Sequence, residues 1–286
     1  MQRAVELDPT YALAFAGMAY AYGELADTGT MAPDIAYAHA AEAANRALAI
    51  SPDCSEAHCV LAVIAGHRDF DWVTAEREFQ RSIELNPNNA DAVDLYGRFV
   101  ADLGRFEEAI VLTQRAKQLD PETHRSDHAN ALLRAGRYHD ALEEALRGLE
   151  LDPSYDRLRA TLGWAYIRTG RMNEGIAELE MATALTPTNT AWTAQLGQAY
   201  GEAGRFDDAR AILGALEEKA TREYVSPYHM AYVHLGLGEH DVAMDWLERA
   251  YGESAGAIHG VKGSFLFASL RTHPRFIALL ERMSLA

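Results

Sequence analysis

The stretch "LGRFEEAIVLTQRAKQLDP", residues 103–121, contains two phrases that recur along the chain. The first, around "GRFEEA", returns in "AGRYHDA" from Ala135, "TGRMNEG" from Thr169, "AGRFDDA" from Ala203 and "LGEHDVA" from Leu237. The second ends in a proline, and these prolines lie at positions 9, 52, 87, 121, 153 and 187, which are 43, 35, 34, 32 and 34 residues apart. A period near 34 residues predicts stacked repeating units.

Each unit has the pattern of two helices joined by a tight turn. The turn glycines are expected to adopt the left-handed conformation that ends the first helix, because glycine has no Cβ to clash there. They are Gly104, Gly136, Gly170, Gly204 and Gly238. Small residues such as Gly163 and Gly175 recur where two helix backbones must approach. The unit is therefore predicted to be two antiparallel helices, each of about 12 to 15 residues.

The pattern L-G-x-x-Y in the first helix (Leu162, Gly163, Tyr166), the glycine turn and the closing L-x-P together resemble the tetratricopeptide repeat family. The resemblance extends from before Pro9 to about Ser254. It implies an all-α fold, a right-handed α-solenoid of about seven tandem antiparallel helix pairs. It also implies that the first helix of each pair lines the concave side.

Departures from the period define three predicted regions. Residues 1–9 are interpreted as the second helix of a truncated repeat, so a missing amino-terminal segment is expected. Residues 10–254 form the tandem repeats, which end near 52, 87, 121, 153, 187, 221 and 254. Residues 255–286 are predicted to be a flexible Gly-rich joint and a capping helix, since a solenoid needs a cover for its last apolar face.

Composition excludes several classes of function. A net charge of −16, with only three lysines in 286 residues, disfavours binding to nucleic acid or to an anionic membrane. The sequence has neither a long apolar segment nor a secretory leader, so a cytoplasmic location is expected. Two cysteines, Cys54 and Cys59, are too few for a disulfide framework and are expected to be inert thiols.

The predicted concave surface carries the candidate binding residues. Arginines recur on successive inner helices, and amides and one exposed indole accompany them. Arginine forks, amides and an aromatic anchor suit an extended peptide that bears carboxylates. The candidate peptide-binding residues are Arg98, Asn130, Arg134, Trp164, Arg168 and Gln198. The alternative is that the arginines pair with carboxylates such as Asp94 and Asp127 and only solubilise the groove.

No catalytic or metal constellation is predicted, and no cofactor. His124 and His128 have the i, i+4 spacing that lets two imidazoles share an ion, with Asp127 nearby. However, His128 stands where sibling repeats have leucine, and no third ligand is implied, so a hydrogen-bonded histidine is the preferred interpretation. Glu143, Glu144 and Glu150 are expected to lie solvated on an outer helix face.

The predicted function is a non-enzymatic protein-interaction scaffold with a peptide or protein in its groove. The segments "DWVTAEREFQRSIELNPNNA" (71–90) and "LRTHPRFIALLERMSL" (270–285) also resemble the repeat halves of large bacterial signalling proteins, which implies a sensory or docking part of a regulator. Two alternatives stay open. One is an architectural solenoid that self-associates through its uncapped first edge, and the other is a metal-dependent module or enzyme that uses the His124/His128 pair.

Overall fold

A computed structural model describes residues 2–27, 31–254 and 256–286. Within these ranges the chain is helical and contains no strand. A short first helix, α1 (Gln2–Leu7), precedes seven antiparallel helix pairs. The pairs are α2 (Ala12–Asp27) with α3 (Pro33–Ile50), α4 (Ser55–His67) with α5 (Trp72–Leu85), α6 (Ala90–Asp102) with α7 (Phe106–Leu119), α8 (Arg125–Arg134) with α9 (Tyr138–Leu151), α10 (Asp156–Arg168) with α11 (Met172–Leu185), α12 (Thr190–Glu202) with α13 (Phe206–Ala220), and α14 (Pro227–Gly236) with α15 (His240–Gly252).

The turn glycines have the predicted conformation. Their φ angles are 83° at Gly104, 77° at Gly136, 84° at Gly170, 75° at Gly204 and 75° at Gly238. Such angles are strained for residues that carry a Cβ. The prediction from the repeated phrase is therefore confirmed at each of the five turns.

Close approach of paired helices is equally clear at Gly163 and Gly175. A Cβ on Gly175 would lie 2.5 Å from the carbonyl oxygen of Gly163, and a Cβ on Gly163 would lie 2.9 Å from the carbonyl oxygen of Gly175. These separations leave room only for hydrogen. The packing of α10 on α11 thus depends on the two glycines.

Two 3₁₀ helices and a last α-helix follow the repeats: η1 (Gly256–Gly260), η2 (Phe265–Leu270) and α16 (Pro274–Arg282). On α16 and just after it, Phe276, Leu279 and Met283 are buried, whereas Ile277 is 44% exposed. The Arg275 guanidinium, near the start of α16, reaches Asp245 and Glu248 of α15. The last helix therefore lies against the second helix of the seventh pair.

The solenoid curls far enough for its last elements to meet its second helix pair. Trp72 Nε1 donates a hydrogen bond to the carbonyl oxygen of Met283 at 2.7 Å, and the rings of Phe70 and Tyr251 stack with centroids 5.3 Å apart. Helix α6 also contacts η1. The inner helices consequently surround a central space that the C-terminal residues enter.

Candidate partner-binding cavity

The concave side contains a cavity of about 850 Å³. Most of its wall comes from the inner helices α6, α8, α10, α12 and α14 and from the C-terminal 3₁₀ helices, and Glu24 of α2 and Lys219 of α13 also line it. Of the six predicted binding residues, four line this cavity: Arg98, Asn130, Arg134 and Trp164. Arg168 and Gln198 lie outside its wall. A binding role for these six side chains remains a prediction.

The C-terminal segment, residues 256–270, occupies part of the concave side. Arg134 Nη2 donates to Asp102 Oδ1 at 2.7 Å, and its Nε donates to the carbonyl oxygen of Gly263 at 3.3 Å. A Cβ on Gly263 would lie 2.0 Å from the carbonyl oxygen of Ala101, so only glycine allows this approach. Arg134 thus joins the C-terminal segment to the inner helices.

Trp164 is not the exposed indole predicted from the sequence. It is only 2% exposed, and its Nε1 donates to Gln195 Oε1 at 2.8 Å. Phe265 of the C-terminal segment contacts its ring edge-on at 5.7 Å, and the Arg168 guanidinium lies 5.2 Å from the ring centroid. The expectation was wrong because a residue 101 positions further along the chain covers the ring.

Gln198 and Arg168 also have partners within the chain. Gln198 is 3% exposed and donates from Nε2 to the carbonyl oxygen of Leu266 at 2.9 Å. Arg168 donates to Glu202 at 3.1 Å. Together with the Arg134–Asp102 ion pair, these contacts follow the alternative interpretation of the arginines, in which they pair with carboxylates of the protein itself.

The prediction of a flexible Gly-rich joint is wrong for the described part of residues 255–263. Ile258 and Val261 are fully buried, as are Phe267 and Leu270 further on. Their burial removes apolar surface from water and favours the folded-back position. The apolar residues of "GAIHGVKGSFLFASL" are the sequence signal for this burial, whereas its glycines alone favour a flexible joint.

Several polar and aromatic side chains still face the cavity. Arg157 is exposed, and its Nη1 lies 3.4 Å from Asp127 Oδ1. Trp192 is half-buried and donates from Nε1 to Asp156 Oδ2 at 2.9 Å, while Lys219 Nζ donates to the carbonyl oxygen of Thr188 at 3.4 Å. The cavity wall thus presents guanidinium, ammonium and indole groups.

The charged residues of the cavity wall balance one another. The acidic residues are Glu24, Asp102, Asp127 and Glu223, and the basic ones are Arg98, Arg134, Arg157 and Lys219. Burial alone would raise the pKa of Asp102, but the Arg134 guanidinium and His259 hold that pKa well below its usual range. The cavity wall thus carries four acidic and four basic side chains, although the net charge of the chain is −16.

The two histidines considered for a shared ion face different helices. His128 Nδ1 lies 3.3 Å from Thr113 Oγ1 of α7, and burial lowers the pKa of this imidazole. His124 Nε2 lies 3.1 Å from Asp91 Oδ1 of α6. Although burial lowers the pKa of His124, the carboxylates of Asp91 and Asp94 raise it above its usual value. The hydrogen-bonded role predicted for His128 is therefore confirmed.

Two further expectations about reactive groups can be compared with the structure. Cys59 is buried, and burial raises the pKa of its thiol, which agrees with an inert cysteine. Glu144, in contrast, is only 5% exposed and accepts hydrogen bonds from Lys117 and Arg147. The solvated position expected for this carboxylate was wrong, because side chains of α7 and α9 enclose it.

Two curated proteins that are named for their tetratricopeptide repeats are similar to parts of this chain. The small glutamine-rich tetratricopeptide repeat-containing protein 2 of Mycosarcoma maydis is 31% identical over 94 residues, which cover 32% of this chain and 27% of that protein. The TPR repeat-containing thioredoxin TTL4 of Arabidopsis thaliana is 35% identical over 82 residues, which cover 28% of this chain and 12% of that protein. The matches thus span about a quarter and an eighth of these relatives.

Solved structures share the fold at low sequence identity. Human IFIT1, solved as a dimer with m7Gppp-AAAA, superposes with a TM-score of 0.58 and 17% identity, covering 88% of this chain and 61% of that one. PilW, a type IV pilus biogenesis factor, superposes with a TM-score of 0.53 and 16% identity, covering 75% of this chain and 97% of that one.

No helix among the described residues is long and apolar enough to cross a membrane.

Family models described as tetratricopeptide repeat match residues 71–122, 132–194 and 195–258, which is more than half of the chain. They coincide with helix pairs whose turn glycines have positive φ. The chain therefore belongs to the tetratricopeptide repeat family.

Proposed function

We propose that this chain is a non-enzymatic scaffold that binds an extended segment of a partner protein in its concave cavity. Tetratricopeptide repeat proteins generally mediate protein–protein interactions. The observation that carries the proposal is the cavity of about 850 Å³ whose wall presents Arg98, Asn130 and Arg157 beside Trp192. Its size is in the range that ligand-binding clefts have.

The chemistry of these side chains suits an extended peptide. Guanidinium groups bind carboxylates and carbonyl oxygens, and an amide both donates to and accepts from a peptide main chain. The half-buried Trp192 offers one apolar surface on which a partner side chain can pack. Because the helices that carry these groups are already folded, binding would immobilise the backbone of the partner far more than that of the scaffold, which favours affinity.

The electrostatics favour a partner segment with one or a few carboxylates. Outside the cavity, an acidic segment would be repelled by a chain whose net charge is −16. The cavity wall, in contrast, carries equal numbers of acidic and basic residues. Arg157 is exposed, and its guanidinium contact is a long one, 3.4 Å from Nη1 to Asp127 Oδ1. It is therefore the cation that a partner carboxylate can reach most easily. Nucleic acids and anionic membranes, with their dense negative charge, are not proposed as partners.

The wider setting of the module is also part of the proposal. The two segments that resemble bacterial signalling proteins, residues 71–90 and 270–285, support a docking role within a cytoplasmic regulator. Residues of both segments meet in the fold, since Trp72 donates to Met283. Self-association of the solenoid is the competing architectural role, and light scattering over a range of concentrations distinguishes the two.

The test is a selection of binding peptides from a displayed random library, followed by affinity measurements on soluble peptides. Asn130→Ala combined with Arg157→Ala is expected to weaken binding at least about tenfold, because both side chains face the cavity. Arg210→Ala is the matched control, since Arg210 is 62% exposed on α13 and does not line the cavity. Arg134 and Trp164 are not suitable positions for substitutions that test peptide binding, because these two residues contact the C-terminal segment.

Peptides whose affinity is unchanged by the double substitution, or is lowered equally by Arg210→Ala, would show that binding occurs elsewhere. A wild-type chain that selects no peptide but assembles into dimers would favour the architectural role instead. Circular dichroism of each variant confirms that helicity is retained.

A further inference from the structure

A buried polar cluster joins the inner helices α6 and α8. Asp94 is 3% exposed, His124 is 6% exposed and Asp127 is 9% exposed. Each residue offers one ligating atom, a carboxylate oxygen or an imidazole nitrogen, and these atoms lie within 4.8 Å of one another. Two carboxylates and an imidazole in such proximity are the donor set that divalent transition metals accept.

The cluster is incompletely satisfied by the protein itself. Asp94 Oδ1 is inaccessible to solvent and has no hydrogen-bond partner. The other oxygen of the same carboxylate, Oδ2, lies 3.8 Å from His124 Nδ1, which is too long for a hydrogen bond. A buried carboxylate oxygen without a partner is unfavourable by several times the net contribution of one hydrogen bond. This oxygen therefore indicates a missing positive or donating group.

The charged groups around the cluster are three carboxylates, two guanidinium groups and the imidazole of His124, which is positive when protonated. Asp91, 60% exposed on the first turn of α6, brings a third carboxylate, with its Oδ1 3.1 Å from His124 Nε2. The guanidinium groups of Arg98 and Arg157 act on Asp94 electrostatically and offset part of the charge of the three carboxylates. Arg157 is exposed and reaches Asp127 only at 3.4 Å, so it can swing away at little cost. A divalent cation would displace the proton of His124 and offset the charge of the carboxylates in its place.

A second cluster, His67, Asp102 and His259, has a similar composition but offers no vacant position. Asp102 Oδ1 accepts from Arg134 at 2.7 Å, and Asp102 Oδ2 lies 3.0 Å from His259 Nδ1. Both oxygens are thus engaged, and the Arg134 guanidinium already supplies the positive charge. The difference between the two clusters points to the first one.

We propose that Asp94, His124 and Asp127 bind one divalent transition-metal ion of the zinc type. The imidazole favours such an ion over magnesium or calcium, which prefer oxygen ligands alone. Asp91 or a water molecule supplies the fourth ligand. Because Asp127 also lines the cavity, one side of the ion faces the concave surface. The ion links two neighbouring helix pairs and so stabilises that part of the solenoid.

Calorimetric titration of EDTA-treated protein with Zn²⁺ tests the site. The wild type is expected to take up one ion per chain, and Asp94→Asn or His124→Asn is expected to weaken uptake by at least about 100-fold. His58→Gln is the matched control, because His58 forms a separate pair with Glu78, with 2.7 Å between Nδ1 and Oε2. Its affinity for Zn²⁺ should equal that of the wild type. Absence of uptake by the wild type, or unchanged uptake by both cluster variants, would overturn the site.

A measurement on the wild type alone covers the case in which the variants fail to fold. In the NMR spectrum of the imidazole groups, Zn²⁺ is expected to shift the signals of His124 while those of His58 and His234 stay in place. Shifts at the other histidines without one at His124 would assign the ion elsewhere and refute the proposal.

Discussion

His259 Nδ1 lies 3.0 Å from Asp102 Oδ2, although 157 positions separate the two residues along the chain. His67 stacks on the same imidazole with ring centroids 3.5 Å apart. Arg134 completes the group from α8 by donating to the other oxygen of Asp102. A single carboxylate at the end of α6 therefore joins the second, third and fourth helix pairs to the C-terminal segment.

Asp102→Asn is expected to lower the free energy of unfolding at pH 7 by about 3 kcal/mol, because Arg134 would be left largely buried without its counter-ion. Urea denaturation measures the change. Asp140→Asn is the control, since Asp140 pairs with Arg137 at the surface, where the loss should stay below about 1 kcal/mol. Equal effects of the two substitutions would refute the central position given to Asp102.

The same carboxylate has a defined pH dependence. Its folded-state pKa is lowered relative to the unfolded chain, so its stabilising contribution is fully present above about pH 4 and is lost as pH falls through the folded-state pKa. Asp102→Asn should therefore differ most from the wild type at neutral pH and least in strong acid.

Gly175→Ala is expected to destabilise the fold by about 1 to 3 kcal/mol, because the new methyl group would lie 2.5 Å from the carbonyl oxygen of Gly163. Gly214→Ala is the matched control on a helix: an added Cβ there would meet nothing within 4 Å, so it should stabilise by about 0.5 to 1 kcal/mol. Thermal unfolding of both variants provides the comparison. A harmless Gly175→Ala would contradict the close packing of α10 on α11.

Trp72→Phe removes the hydrogen bond to the carbonyl oxygen of Met283 but keeps an aromatic ring next to Phe70 and Phe99. The loss should be about 1 kcal/mol. It should appear as faster hydrogen exchange in α16, with α13 as the internal reference. Unchanged exchange in α16 would mean that the contact between the second helix pair and the C-terminus does not hold that helix in place.

Burial lowers the pKa of His229, on the inner helix α14, to about 4. Since this pKa is below the unfolded value of about 6.5, the stabilising contribution of His229 is present above pH 6.5 and is lost as pH falls through 4. The difference in the free energy of unfolding between the two pH limits is on the order of 3 kcal/mol. NMR titration should place the midpoint of His229 near pH 4, and His229→Gln should flatten the dependence of stability on pH between 6.5 and 4. A midpoint near 6.5 would contradict this.

The repeat architecture could be predicted because the sequence signals that determine it are local. Gly104 and the four other turn glycines each predict the backbone conformation at their own position. Gly163 and Gly175 predict the close contact of the two helices within one repeat. Contacts of this kind depend on residues a few turns apart, so a periodic sequence reveals them. The helix pairs follow from the same signals.

The interior of the concave side could not be predicted in the same way. Whether Phe265 reaches Trp164, or Met283 reaches Trp72, depends on how the small rotations between successive helix pairs accumulate. No residue pattern within a single repeat predicts this accumulated rotation. The sequence does not reveal the cluster of Asp94, His124 and Asp127 for a related reason: helical spacing groups His124 with His128, whereas Asp94 approaches from another helix.

Site-specific photo-crosslinking determines whether a partner segment lies in the concave cavity. A photoreactive phenylalanine analogue would replace either Glu223, which is 65% exposed and lines the cavity, or Asp207, which is fully exposed on α13 and lies outside its wall. With a selected peptide, the account predicts a covalent adduct at position 223 and none at position 207. Crosslinking at position 207 alone would contradict the account, because it would place the partner outside the cavity.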